Sequence, residues 1–383
     1  MRVLVFADEY DYSYFTFIYN EVKRLEQSGI EVLVVCERVG QLMETDTNYR
    51  CIPLTENYFL RKVYLQAIKR KMFFLLSFFN YYKRRKKIIS LFKPDIIHTH
   101  FGDTAVRLYF TLAKSLMKIP FLVSFHGFDA SSLLNNQQYL DRLKKLTGKP
   151  NFFAIYVSKH LYNNLIKRDV NINDENSFLL FCGINTEKFK RTKYHNNPVR
   201  VFLQISSFFE KKGHVYTIDA FKKFHDLHPG KAKLVIGGDG PLKMQLMAKS
   251  KALGLENMIE FKGWISREVA VELMNEADYF VHHSVTGKDG DQEGLPNSII
   301  EAMAMELPVL STFHSGIPEI VEDGVNGYLV SEKDINAYAQ RIEDMLSWNY
   351  LPVSREKVIK QFSLEAHTIS LLNIYKIITN KVR

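Results

Sequence analysis

Short apolar runs recur along this chain at residues 2–7, 31–36, 95–100, 120–125 and 152–157, and stretches of helical spacing separate them. The first such stretch, around residues 13–28, repeats apolar positions at Phe17, Ile18, Val22 and Leu25, and Gly29 then suits a helix C-terminus. The opening is therefore β-α-β. A second series of runs follows at 199–205, 233–237, 258–261, 278–282 and 308–311. Strands that alternate with helices imply parallel sheets covered on both faces. The stretch 183–198, between the two series, is polar and rich in turn formers, as linkers are. The expected fold is α/β: two tandem Rossmann-like, doubly wound parallel-sheet domains, residues 1–190 and 191–362. A C-terminal helix of about 363–383 is expected to pack back on the first. Ligands of such sheets bind beyond the carboxyl ends of the strands, so chemistry is sought just after them.

Composition narrows the class. The 383 residues are 46% hydrophobic and 24% charged, which excludes a disordered chain. Cys36, Cys51 and Cys182 are scattered and lack metal-ligand spacing, so neither a disulfide scaffold nor a zinc cluster is expected. The N-terminus has no signal-peptide pattern, and the longest apolar run, 72–79, falls far short of the roughly 18 residues of a spanning helix. A cytoplasmic chain is expected. Its net charge of +9 is localised: residues 1–190 carry 28 Lys and Arg against 18 Asp and Glu. Within them, residues 58–93 hold eleven basic residues and no acid, interleaved with aromatics. A nucleic-acid surface, a membrane-docking surface and a solvated helix face all have this composition. No nucleic-acid fold signature accompanies it, and docking on an anionic inner-leaflet surface is favoured, with Lys83, Arg84, Arg85, Lys86 and Lys87 at its centre.

The candidate chemistry centres on Glu293-Gly294-Leu295-Pro296-Asn297 and Glu301, eight positions after Glu293. Pro296 near the start of an apolar helical pattern marks a helix N-terminus, whose amides could receive a phosphate. Glu301, two turns on, could accept hydrogen bonds from vicinal hydroxyls such as those of ribose. Either acid alone also fits a favourable helix-dipole contact or an ordinary surface position. His126 ends the run 120–125 with Asp129 three residues on, a placement suited to proton handling or to a loop-bound structural imidazole. His98 and His100 are expected on opposite sides of their strand, with His100, at its end, toward the ligand. Asp289-Gly290-Asp291 imitates a divalent-metal motif, but is read as a flexible loop; no metal is expected. The strand 2–7 leads into Asp8-Glu9-Tyr10-Asp11 without glycine, which argues against a nicotinamide enzyme.

Glu293…Glu301 resembles the E-x7-E motif of the family 4 retaining glycosyltransferases, which have the GT-B architecture of two Rossmann-like domains facing a central cleft. Lys211-Lys212-Gly213-His214, the segments 237–242 and 261–264, and the segment 314–319 agree with it, and the wording is closest to colanic-acid and amylovoran enzymes. The resemblance implies transfer of a hexosyl unit from a nucleotide diphosphate sugar, with UDP favoured, to a saccharide acceptor, lipid-linked in polysaccharide synthesis. No cofactor is implied. Glu293 would contact the donor sugar, Glu301 the ribose, and Lys212 the diphosphate. Ser207, Lys211, Gly238, Gly263, Gly294, Leu295, Pro296 and Asn297 would complete the donor side. His126 would act with Glu293 in catalysis, and His100 and Asp129 would lie toward the acceptor. Ser207 stands where most members have an arginine, so either Lys211 or a first-domain basic residue supplies the charge, or donor binding is weaker than is usual in the family. A sugar-nucleotide epimerase and a non-catalytic donor- or membrane-binding subunit are the alternatives.

Overall fold

A computed structural model describes residues 1–10, 16–39, 51–53, 81–116, 118–194, 198–348 and 354–382. The chain forms two compact units. The first comprises residues 1–157, 161–183 and 367–383, and the second residues 158–160 and 184–366. The sequence reading set the division near 190 and the returning helix near 363.

In the first unit the elements run β1 (Arg2–Tyr10), α1 (Thr16–Gln27), β2 (Glu31–Val39), β3 (Cys51–Pro53), α2 (Tyr81–Phe92), β4 (Ile96–His100), α3 (Gly102–Leu116), β5 (Phe121–Phe125), α4 (Gln137–Thr147), β6 (Phe152–Tyr156), α5 (Lys159–Lys167) and β7 (Ser177–Leu179). The sheet order is β3-β2-β1-β4-β5-β6-β7, with every pairing parallel. Successive side chains of a strand point to opposite faces, and both faces of β1 are dry. Leu4 and Phe6 join one core with Ile97, Val123 and Leu140. Val3 and Val5 join another with Ile18, Val22 and Leu25 of α1. That second face is closed by the helix Leu364–Val382, which contributes Leu371, Ile374, Tyr375 and Ile378, all 6% exposed or less. Each such aliphatic side chain contributes about 1.5–3 kcal/mol of burial, so the helix is a structural part of the first unit.

α2 corrects part of the docking expectation. Arg85 is only 8% exposed, because it shares a stripe with Ile88, Ile89 and Phe92 at i+3, i+4 and i+7, and this stripe packs into the core. Lys86 and Lys87 are exposed. The side chains of Lys83 and Arg84, and residues 58–80, lie outside the described residues.

The second unit contains β8 (Arg200–Ile205), α6 (His214–Leu227), β9 (Ala232–Gly237), α7 (Lys243–Ala252), β10 (Ile259–Gly263), α8 (Arg267–Glu276), β11 (Tyr279–Val281), α9 (Asn297–Ala304), β12 (Val309–Thr312), β13 (Gly327–Val330), α10 (Ile335–Ser347) and α11 (Ser354–Phe362). Its sheet order is β10-β9-β8-β11-β12-β13, again wholly parallel. Both sheets thus reverse their strand order once, between β1 and β4 in the first and between β8 and β11 in the second. Loops leaving two such strands diverge to opposite faces and open a crevice at the strand ends. No helix among the described residues is long and apolar enough to cross a membrane.

Candidate functional site

In the second unit the loops after β8 and β11 meet at the switch point. The loop after β8 closes in a short turn, Glu210–Lys212, and Gly213 follows with φ 61°. A Cβ at Gly213 would lie 1.6 Å from the carbonyl oxygen of His283, so only glycine allows the two loops to touch there. Gln204 Nε2 donates to the carbonyl of Lys212 at 3.0 Å, and the Val285 amide donates to that of Lys211 at 2.9 Å. This backbone clasp delivers Lys212 Nζ to within 2.8 Å of Glu293 Oε1.

Glu293 is 7% exposed. Burial alone would push its carboxyl up, but the charges of Lys212 and Lys211 and the bond from Lys212 outweigh it and bring it down to about 2. The residue is a fixed anion. Its amide donates to His314 Nε2 at 3.2 Å, which leaves Nδ1 as the ring donor toward Glu332 Oε1, 2.6 Å away. Glu332 also accepts the Thr286 amide at 2.8 Å and hydroxyl at 3.2 Å. Burial opposes the charge on Glu332 too, and these bonds still draw its carboxyl down to about 2. Ser315 Oγ donates to the carbonyl of Glu293.

Beyond Glu293 the chain passes through the buried Gly294, Leu295 and Pro296 into α9. Pro296 is the N-cap rather than the first helical residue, and offers no side-chain acceptor, so Asn297 opens a helix without a side-chain cap there. Two turns in, Glu301 is 8% exposed with Oε1 3.0 Å from Arg267 Nη1. Burial pushes its carboxyl up against the pull of Arg267. Gly238 donates its amide to the carbonyl of Gly263 at 2.7 Å, and with φ 144° a Cβ there would lie 1.9 Å from the Ser206 carbonyl. Ser207, beside it, is half-buried.

Lys211, one of the candidates for the charge absent at Ser207, has Nζ 2.9 Å from Asp291 Oδ2 and fastens the loop 286–292 in this structure. Asp289 Oδ1 in turn accepts the Asp291 amide at 3.0 Å, so the two carboxylates of the metal-like motif are directed to different partners.

The first unit carries a second cluster at the ends of β4 and β5. The His98 and His100 rings are 4.6 Å apart and both fully buried. The expectation of opposite sides is wrong, because residues two apart on a strand share a face. His100 is therefore not a ligand-facing group. Its Nδ1 lies 3.1 Å from His126 Nε2, and its Nε2 lies 3.2 Å from Glu21 Oε1. His126 is half-buried between Phe17 and Phe101, with ring centroids 4.7 and 4.8 Å away. Asp129 also departs from an acceptor-facing role. It is fully buried and accepts the amides of Gly102, His126 and Gly127 at 2.9–3.0 Å, shaping the loop that carries His126.

Several participants were not singled out from sequence. Arg267 and Glu332 had no local signal, and His314 was quoted only within a motif. His282, fully buried, has neither ring nitrogen hydrogen-bonded, and burial holds its imidazole well below the usual range.

Two doubly wound sheets in tandem, together with matching family models and solved structures, identify a glycosyltransferase of GT-B fold. Two family models cover the chain almost end to end: Glycosyltransferase Family 4 at residues 15–188 and Glycosyl transferases group 1 at 185–362. The chain belongs to the family 4 glycosyltransferases. It is 26% identical to WcaL of Salmonella typhimurium, named for colanic acid biosynthesis, over 99% of this chain and 100% of that one. It is 33% identical to the amylovoran biosynthesis glycosyltransferase AmsK of Erwinia amylovora, over 65% of this chain and 60% of that one. The crystal structure of Anabaena Alr3699/HepE in complex with UDP superposes with a TM-score of 0.76 at 18% identity, covering 98% of this chain and 100% of that one.

Proposed function

We propose that this glycosyltransferase retains anomeric configuration and moves a hexosyl unit from a UDP-sugar to a lipid-linked saccharide acceptor in exopolysaccharide synthesis. The observation that carries the reading is the ion pair of Lys212 and Glu293 at the β8/β11 switch point, followed two turns into α9 by Glu301. A departing nucleoside diphosphate gains negative charge, and a fixed ammonium aimed at it lowers the barrier. Lys212 meets that charge, so the reading calls for no metal ion or cofactor. Glu293, held ionised, orients the donor sugar, and Glu301 holds the ribose hydroxyls. As the bond from the anomeric carbon to the phosphate oxygen breaks, the acceptor hydroxyl attacks from the same face and the leaving phosphate takes its proton. HepE has been crystallised with UDP-glucose as well as with UDP, and the names of WcaL and AmsK place them in exopolysaccharide biosynthesis. Incubation with UDP-hexoses and lipid-linked saccharide should release UDP and give a product whose anomeric proton coupling matches the donor's. An inverted product rejects retention, and no UDP release from any UDP-hexose rejects the donor class.

We assign the route to a lipid-linked acceptor to surface binding through α2 and the basic residues preceding it. Each Lys or Arg near anionic lipid contributes about 1 kcal/mol. Combined replacement of Lys83, Arg84, Lys86 and Lys87 by serine should therefore weaken partition onto phosphatidylglycerol vesicles by up to about a thousandfold, leaving UDP binding unchanged. Arg85 is left in place because it packs in the core. Wild-type protein that stays in the supernatant with these vesicles at low salt refutes the docking.

A further inference from the structure

The buried cluster of the first unit holds an acid that the proposed chemistry does not use. Glu21 is 6% exposed and sits among His98, His100 and His367. The hydrogen-bond chemistry of its neighbours fixes where the protons lie. His367 Nδ1 is 2.7 Å from the carbonyl oxygen of Phe181, which can only accept, so Nδ1 carries a proton. His367 Nε2 is 3.0 Å from Glu21 Oε2. Burial works against the charge on Glu21, yet the histidines around it hold its carboxyl well below the ordinary range, so this oxygen also accepts. Both nitrogens of His367 are then donors and the ring is an imidazolium; its pKa lies above the usual value because Glu21 and the Phe181 carbonyl outweigh burial. Such a pair is what lets a carboxylate remain ionised inside a core.

The other oxygen of Glu21 lies 3.2 Å from His100 Nε2, an ion-pair approach outside hydrogen-bond alignment, and the charge of the carboxylate favours the proton of that ring on Nε2. Nδ1 of His100 is then an acceptor, and it lies 3.1 Å from His126 Nε2. His98 closes the cluster, with Nδ1 3.5 Å from the same oxygen of Glu21. Its nitrogens meet the hydroxyls of Tyr375 and Ser124 at 2.9 and 2.8 Å, and burial brings its imidazole down to about 3.

We propose that Glu21 is a positioning residue which, through His100, holds His126 in the tautomer protonated at Nε2, so that Nδ1 is the ring's single acceptor. Cys182 Sγ lies 4.0 Å from that nitrogen, a thiol whose pKa is pushed up to about 12 by burial and by Glu21. A ring that turned over or changed tautomer would lose its bond to His100, so orientation and protonation are set together. The kinetic part rests on the catalytic role that the family resemblance implies for His126, and the test separates the two.

Nitrogen NMR of the intact protein labelled with 15N-histidine, with His126 assigned from the His126→Asn spectrum, reads the tautomer directly. The expected wild-type result is a protonated Nε2 and a bare Nδ1 on His126, with both nitrogens of His367 protonated. A bare Nε2 on His126, averaged tautomers or a neutral His367 overturns the relay whatever the kinetics. Glu21→Gln should release His126 into mixed tautomers and lower kcat at least tenfold, with the donor KM changed less than twofold. Unchanged tautomer and kcat in that variant refute the proposal. If Glu21→Gln does not fold, His100→Gln gives the same two readings. Full activity in His126→Asn would remove His126 from catalysis while leaving the tautomer result to stand or fall by itself.

Discussion

Lys212→Ala is expected to lower kcat by about 10²- to 10³-fold, the loss typical when one preorganised donor to a developing negative charge is removed. The effect falls on kcat because the charge on the diphosphate oxygen grows only as the glycosidic bond breaks. The same substitution has a second consequence. Glu293 is 7% exposed and relies on Lys212 for the nearest compensating charge, so breaking the pair leaves a buried anion and should destabilise the second unit by up to about 3–5 kcal/mol. The double variant Lys212→Met with Glu293→Gln should recover most of that stability and none of the turnover. Steady-state kinetics and denaturant unfolding on the three proteins separate the two losses. A Lys212→Ala enzyme with wild-type kcat removes the cation from the mechanism.

The stability of the chain should fall steeply on mild acidification. Burial brings the imidazoles of His98 and His214 down to about 3 and that of His283 to about 4, so all three are neutral in the folded chain at pH 5. In the unfolded chain each titrates near 6.5 and takes up a proton as pH drops below that value. The unfolded state thus binds more protons, and stability declines with falling pH from about 6.5 downward. At pH 5 the loss is about 2 kcal/mol for each histidine. His367 and Asp103 act in the opposite sense and offset part of this loss. The raised pKa of His367 contributes stability that is complete below 6.5 and lost as pH rises through the folded value. The Asp103 carboxyl, pushed up to about 7 by burial, takes up a proton in the folded chain as pH falls through that value. Glu293 and Glu332, both near 2, keep their contribution throughout this window. His98 lies in the first unit and His214 and His283 in the second, so both should weaken. Urea unfolding of an Asp103→Asn variant, which removes the opposing carboxyl, that gives equal midpoints at pH 7.5 and pH 5 would show that these rings are not held neutral.

The sequence revealed strands where burial on both sheet faces demands unbroken apolar runs, and all ten expected runs overlap strands. It did not reveal β3, β7 and β13, outer strands of three or four residues with no run of sufficient length. Helix register is legible in the sequence: the spacing of Arg85, Ile88, Ile89 and Phe92 already places the arginine on the apolar stripe. For the site, Glu293 and Glu301 stand out because they share one short segment with a helix start. Their partners do not. Lys212 and Arg267 reach them only because β8 and β11 are neighbours in a sheet whose order departs from chain order, which local pattern does not encode. Glu21 and His367 are further apart still, and each reads as an ordinary polar residue on a helix until the core around them is assembled.

The helix Leu364–Val382 has a consequence for biogenesis. Chain emerging from a ribosome can form β1 and α1 early, but the pocket that receives Leu371, Tyr375 and Ile378 stays open until residues beyond 370 have been translated. Through that interval the face of Val3, Val5 and Ile18 lacks the cover of Leu371, Tyr375 and Ile378, and Glu21 has no imidazolium beside it. Sequence separation of this size slows folding, because the closing contact must be found across most of the chain. The first unit to be synthesised is therefore the last to be sealed, and its nascent form is a natural client for chaperones that shield hydrophobic surface.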